Sequence, residues 1–196
     1  YELNGLAGVL AAEEFGVGGI PLQSLSMRGR ILTEENQVDL QEFRLAAQDS
    51  ELVAAAKYSV PKTGGAGVQF AGQLSAARAE LIKVIWPSGI NSESRNWFGR
   101  HVVSGRLKSA QMTYGTGEFA AENAVVLPSG LRQSMSLTAD VEDAQIRPFE
   151  QSAAVVVSGP GQVRINDRVL QITLTSANLA GGQSATKPLA LDGAQF

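Results

Sequence analysis

The run ELVAAAKYSV, residues 51–60, decides the fold. Leu52, Ala54, Ala56, Tyr58 and Val60 point one way, while Glu51, Lys57 and Ser59 belong to the other face. A period of two between apolar and polar side chains is the pattern of a half-buried β-strand, because successive Cβ atoms leave a strand on opposite sides. Working outward, the same alternation recurs. Val68, Phe70, Gly72 and Leu74 carry it in GVQFAGQLS, and Met135, Leu137, Ala139 and Val141 carry it in MSLTADV. Val155 and Val157 follow, then Val163 with Ile165, then Leu170, Ile172 and Leu174. In VDLQEFRL the phase slips between Leu40 and Phe43, as one extra residue in a β-bulge would produce. These are antiparallel strands with one apolar face.

One region departs from the period. AARAELIKVIW, residues 76–86, spaces Leu81, Ile82, Ile85 and Trp86 as a helix does, and Pro87 closes it. A second short helix begins at Asn91 or Ser92, with Glu93 in its first turn and Trp97, Phe98, His101 and Val102 on one side. The mid-helix Gly99 is expected to weaken that helix by about 1 kcal/mol. Gly105 then returns the chain to strand. GRILTEENQVDLQEFRL from Gly29 and GQVRINDRVLQITL from Gly161 echo one another as glycine, strand, polar turn, strand. The expected fold is mainly β: an antiparallel, curved or rolled sheet of hairpin repeats with a short helical insert over about 76–103. Its units are a hairpin repeat at 20–75, the helical insert at 76–104 and a second hairpin repeat at 105–196.

Composition narrows the function. The chain has 196 residues, 44% hydrophobic and 18% charged, which is ordinary for a globular protein. Its net charge of −3 comes with Lys and Arg scattered singly, so no basic stripe offers itself to nucleic acid. Cysteine is absent, which removes disulfides and thiolate metal sites and fits the cytosol and the periplasm alike. No apolar run reaches the roughly 18 residues of a membrane span, and YELNGLAGVLAAEEFG has acidic residues where a signal peptide is apolar. A start at Tyr1 and a stop at Phe196 inside a strand pattern read as a piece of a longer protein.

Few residues invite chemistry. His101 is the only imidazole, yet no G-x-S-x-G elbow accompanies it, and a histidine beside Trp97 and Phe98 reads as a helix-face residue bonded to backbone. Asp140, Glu142 and Asp143 lack the ligand order and central glycine of a calcium loop, and read as the solvated face of an edge strand. GVGG from Gly16 and TGGAGVQFAG from Thr63 match neither dinucleotide nor phosphate loops, so they read as turns and thin places in strands. No catalytic residue, metal or cofactor is expected. Both tryptophans fall within residues 86–107, where they read as plugs pinning a helical cap onto the apolar sheet face.

That same segment, WPSGINSESRNWFGRHVVSGRL, resembles a motif of the form W-P, a polar gap, R-x-W, a small apolar pair, then G-[RK]-[ILV]. It is similar to the AsmA-like family of bacterial envelope proteins, and most to its YhdP-type branch. Trp86, Pro87, Arg95, Trp97, Gly105 and Arg106 carry the likeness as structural residues, and the weaker β pattern extends it from about Leu22 to Phe196. The resemblance implies a periplasmic, non-enzymatic segment of a protein anchored in the inner membrane of a Gram-negative bacterium, touching membrane only through regions outside this piece. It implies hairpin units aligned along an apolar groove, with phospholipid or fatty acyl chains and neighbouring repeats as partners. The role implied is phospholipid movement between inner and outer membranes and upkeep of the outer-membrane barrier. From the alternation, the groove candidates are Leu52, Ala54, Tyr58, Val68, Phe70, Leu137, Val155, Val157, Ile172 and Leu174. The same residues equally suit a closed core, and the alternative function is a structural or protein-interaction module of the envelope with no lipid site of its own.

Overall fold

In a computed structural model of the chain, the described residues are 2–5, 8–61, 65–86, 88, 92–122, 124–126, 130–147, 149, 153–166, 169–175, 177–179, 183–185 and 190–195, with backbone alone for 170 and from 177 on. The strands are β1 (Glu2–Asn4), β2 (Gly8–Ala12), β3 (Val17–Leu32), β4 (Gln37–Ala47), β5 (Ser50–Ser59) and β6 (Gly67–Ser75). Helices α1 (Ala79–Ile85) and α2 (Ser92–His101) come next. Then follow β7 (Val102–Thr116), β8 (Val125–Val126), β9 (Arg132–Ile146), β10 (Val155–Val157), β11 (Pro160–Asn166), β12 (Val169–Leu174), β13 (Ala177–Leu179), β14 (Gln183–Ala185) and β15 (Ala190–Gln195). The described strands join one antiparallel, curved, open sheet. β6 pairs directly with β7, so the ladder runs straight across the helical insertion.

Register turns the alternation of single strands into continuous apolar rows. Leu25, Leu45, Leu52, Leu74, Ala110, Ala139, Val163 and Ile172 are successive cross-strand partners from β3 to β12. Met27, Phe43, Ala54, Gly72, Met112, Leu137 and Ile165 form a second row beside it. The slip between Leu40 and Phe43 is a register shift against β5, and it keeps the apolar residues of β4 on one face at both ends of the strand. Charged residues collect on the opposite face. There Glu42 of β4 meets both Arg28 and Arg44, and Arg44 reaches Glu51 of β5.

The helices explain the curl. Leu81 of α1 is fully buried in a cluster that includes Val17 and Ile20 of β3, Leu45 of β4, Leu107 of β7 and Ala139 of β9. In a flat sheet β3 and β7 would lie about 19 Å apart, four ladder spacings, whereas a helix is only about 10 to 12 Å across. The sheet therefore bends until both strands reach the same helix. Leu107 N–H donates to the Ala77 carbonyl at 2.7 Å, which ties the entry of α1 to β7.

Two expectations need correction. The chain regains strand at Val102 rather than Gly105, because Val102 already pairs with Ile146 of β9. β9 is an interior strand, not an edge: β7 lies along one side, while β8, β11 and β10 follow one another along the other. Its acidic residues are consequently held by neighbours. Asp140 accepts from Ser109 and Gln162, and Glu142 is paired with Lys108. The change of partner from β11 to β10 falls at Asp143, whose φ of 49° breaks the ladder.

Candidate functional site

Between the helical pair and the apolar face of the sheet lies an open cavity of about 670 Å³. That is within the size range of small-molecule sites, roughly 300 to 1,000 Å³. Its floor is the apolar rows of β5 to β12, and its roof is Ile82 and Ile85 of α1, Trp86 just after it, and Trp97 and Phe98 of α2. Most floor side chains are only half-buried, so the strands present apolar surface that the protein's own helices do not cover.

Of the ten groove candidates, the structure brings Leu52, Phe70, Leu137 and Ile172 to this cavity. The other six lie elsewhere. Ala54 is buried within its row, and Val68 packs against Tyr114 and Met135 at one end of the sheet. Tyr58 is on the same face but 46% exposed. Val157 and Leu174 close a separate small core with Ala144, and Val155 sits beside it opposite Ile146. Val155 and Val157 lie on β10, which joins β9 beyond the break at Asp143. Leu74, Ala110, Met112, Val141 and Val163 line it without having been named as groove residues. The alternation of Leu74, Val141 and Val163 was visible in the sequence; the alignment of all five with Leu52 and Leu137 was not.

The motif residues divide by role. Trp86, Trp97, Gly105 and Arg106 line the cavity, and Pro87 lies outside the described residues. Arg95 holds the helices together instead. Its Nε donates to the Trp86 carbonyl at 3.0 Å, its terminal nitrogen meets Glu14 at 2.5 Å, and its guanidinium lies 4.7 Å above the Phe15 ring. Glu14 and Phe15 belong to a 3-10 turn between β2 and β3, so Arg95 fastens α2 to the N-terminal hairpin. Phe15 also explains Gly99. A Cβ there would meet the Phe15 ring at 2.3 Å, so the glycine expected to weaken the helix is the seat on which that ring rests. Gly105 serves close approach as well: its φ is 156°, and a Cβ would come within 3.2 Å of the Ala144 backbone.

His101 stacks on Trp97 with ring centroids 5.4 Å apart and donates from Nδ1 to the Arg147 carbonyl at 2.7 Å. Arg147 N–H returns a bond to the His101 carbonyl at 2.8 Å, clamping the end of α2 to the end of β9. Burial pushes the Tyr114 phenol up from its ordinary 10.0, which keeps it protonated at neutral pH.

The bond from Arg95 holds the Glu14 carboxyl below its ordinary 4.5. A carboxylate with a depressed folded pKa stabilises the fold at every pH above its unfolded value, and that contribution is lost as pH falls through the folded value. The wild-type Tm should therefore fall more steeply than that of Glu14→Gln between about pH 5 and 3. Parallel curves from thermal melts would show that the latch adds nothing.

The chain matches no protein-family model, no curated protein and no solved structure.

Proposed function

We propose that this chain is a non-enzymatic, lipid-handling segment of an AsmA-like protein, periplasmic and belonging to an inner-membrane-anchored parent chain. In that reading acyl chains rest in the apolar cavity during phospholipid transport between the two membranes, a traffic that maintains the outer-membrane barrier. The observation that carries the proposal is the half-buried floor of the cavity. Apolar rows of this length need an apolar partner, and side chains of α1 and α2 cover only part of them. The likeness of residues 86–107 to the family motif supplies the setting. Among the described residues no helix is long and apolar enough to cross a membrane.

Native mass spectrometry of the chain, with lipid extraction from the same preparation, tests this. Wild type should carry fatty acid or phospholipid near one-to-one, and Leu137→Asp, on the cavity floor, should lose it while remaining folded by circular dichroism. A lipid-free mass together with no uptake of a fluorescent acyl probe would sink the proposal and leave a structural β module.

A further inference from the structure

We infer that the ligand is a two-chain lipid, which places one acyl chain in the cavity and lays the other on an exposed apolar shelf made by Ile31, Val38 and Tyr58. The inference rests on the lipid-handling reading and adds to it the number of chains and the seat of the second.

The shelf continues the cavity floor. Ile31 of β3, Val38 of β4, Tyr58 of β5 and Val68 of β6 are successive cross-strand partners, so their side chains share one face. Tyr58 stands an even number of residues from Leu52 in a strand whose register against β6 does not shift, so that face is the cavity's. The next row is Gly29, Leu40, Ala56 and Phe70, and Phe70 already lines the cavity. With rows about 7 Å apart along the strands and strands about 4.8 Å apart, Tyr58 is roughly 8 Å from Phe70, and Ile31 roughly 16 Å. In these two rows the Tyr58 hydroxyl is the one polar side-chain group. Ile31, Val38 and Tyr58 are nevertheless 57%, 45% and 46% exposed. Scattered apolar residues at a surface are ordinary, but three in direct contact positions that extend an apolar cavity mark a binding surface.

Size and chemistry assign the occupant. A cavity of about 670 Å³ suits one drug-sized ligand; a single acyl chain is of that size and a lipid with two is not. The second chain must leave over apolar surface, and the shelf is apolar surface contiguous with the floor. β4 and β5 are interior strands whose backbone groups pair with β3 and β6, so the shelf offers a visitor side-chain hydrocarbon and no free strand edge. That suits a chain without hydrogen-bonding groups better than a polypeptide, which binds a sheet through its edge.

The test exposes the full chain to mixed vesicles of dioleoyl-phosphatidylcholine and oleoyl-lysophosphatidylcholine, which share head and chain and differ in chain number. Native mass spectrometry of the recovered protein reads the ratio of two-chain to one-chain lipid bound. Wild type should carry the two-chain lipid at one per protein. Ile31→Thr with Val38→Thr and Tyr58→Thr keeps β-branched side chains that suit a strand. It should lower the ratio roughly tenfold, the effect of losing about 60 Å² of apolar contact, with uptake of the one-chain lipid unchanged. Tyr58→Thr alone, at a position exposed from the outset, should move the ratio the same way by less. A ratio that survives the triple substitution, or a wild type that takes up the one-chain lipid alone, would overturn the shelf while leaving the lipid-handling reading intact. Equal loss of both lipids from a triple variant that keeps its circular dichroism would overturn it too, because the row would then serve the chain in the cavity. Failure of wild type to take up either lipid would remove the lipid-handling reading itself, and this inference with it.

Discussion

Gly99→Leu is expected to destabilise the protein by about 3 kcal/mol, although it replaces glycine with a strong helix former inside a helix. On propensity alone the change should stabilise α2 by roughly 0.8 kcal/mol, so the sign itself is diagnostic. The opposing term is steric. The position of a Cβ at residue 99 falls 2.3 Å from the Phe15 ring, and that ring cannot swing aside freely because the Arg95 guanidinium lies 4.7 Å over it. Urea denaturation followed by tryptophan fluorescence reads the loss directly, since Trp97 is on the displaced helix. In a Phe15→Ala background the same substitution should turn neutral or stabilising, because the obstacle is gone. A Gly99→Leu protein as stable as wild type would show that α2 does not dock on the N-terminal hairpin.

The second large effect belongs to Leu81. Leu81→Ala should cost about 3 to 5 kcal/mol, the upper part of the range for buried leucine, because the site cannot collapse around the gap. α1 is held from several sides: Leu81 is fully buried against residues of β3, β4, β7 and β9, and the chain entering α1 is hydrogen-bonded to β7. Leu137→Ala is the comparison. Leu137 is half-buried on the cavity floor, so its truncation enlarges a space that already exists and should cost roughly 1 kcal/mol. Urea midpoints at unchanged m-value would register both. If Leu137→Ala proved the costlier of the two, α1 would not be the point around which the sheet bends.

Much of this fold was legible because β-structure writes itself locally. The alternation in residues 51–60 and 135–141 fixed which face of each strand is apolar, and the phase slip at Leu40 and Phe43 marked a true register shift. The helical pair was legible as well, because Leu81, Ile82, Ile85 and Trp86 break a period of two into a helical one. The cavity was only half legible. Val157 and Phe70 share the same alternating pattern, yet Val157 is fully buried in a separate core while Phe70 lines the cavity. Val157 is on β10, which pairs with β9 beyond the break at Asp143, and that residue's φ of 49° has no signature in an acidic residue among others. Gly99 was read as a weakness of α2 because its partner, Phe15, is more than eighty positions away.

By itself the sequence determined the apolar face of strands such as β5, β6 and β9, the place where helices interrupt them and the bulge in β4, since each depends on neighbours along the chain. The tertiary structure alone decided which apolar residues meet. Cross-strand register, the bend of the sheet around Leu81 and the fastening of α2 by Arg95 and Phe15 all join residues far apart in sequence, whose pairing depends on the shapes and charges that folding brings face to face.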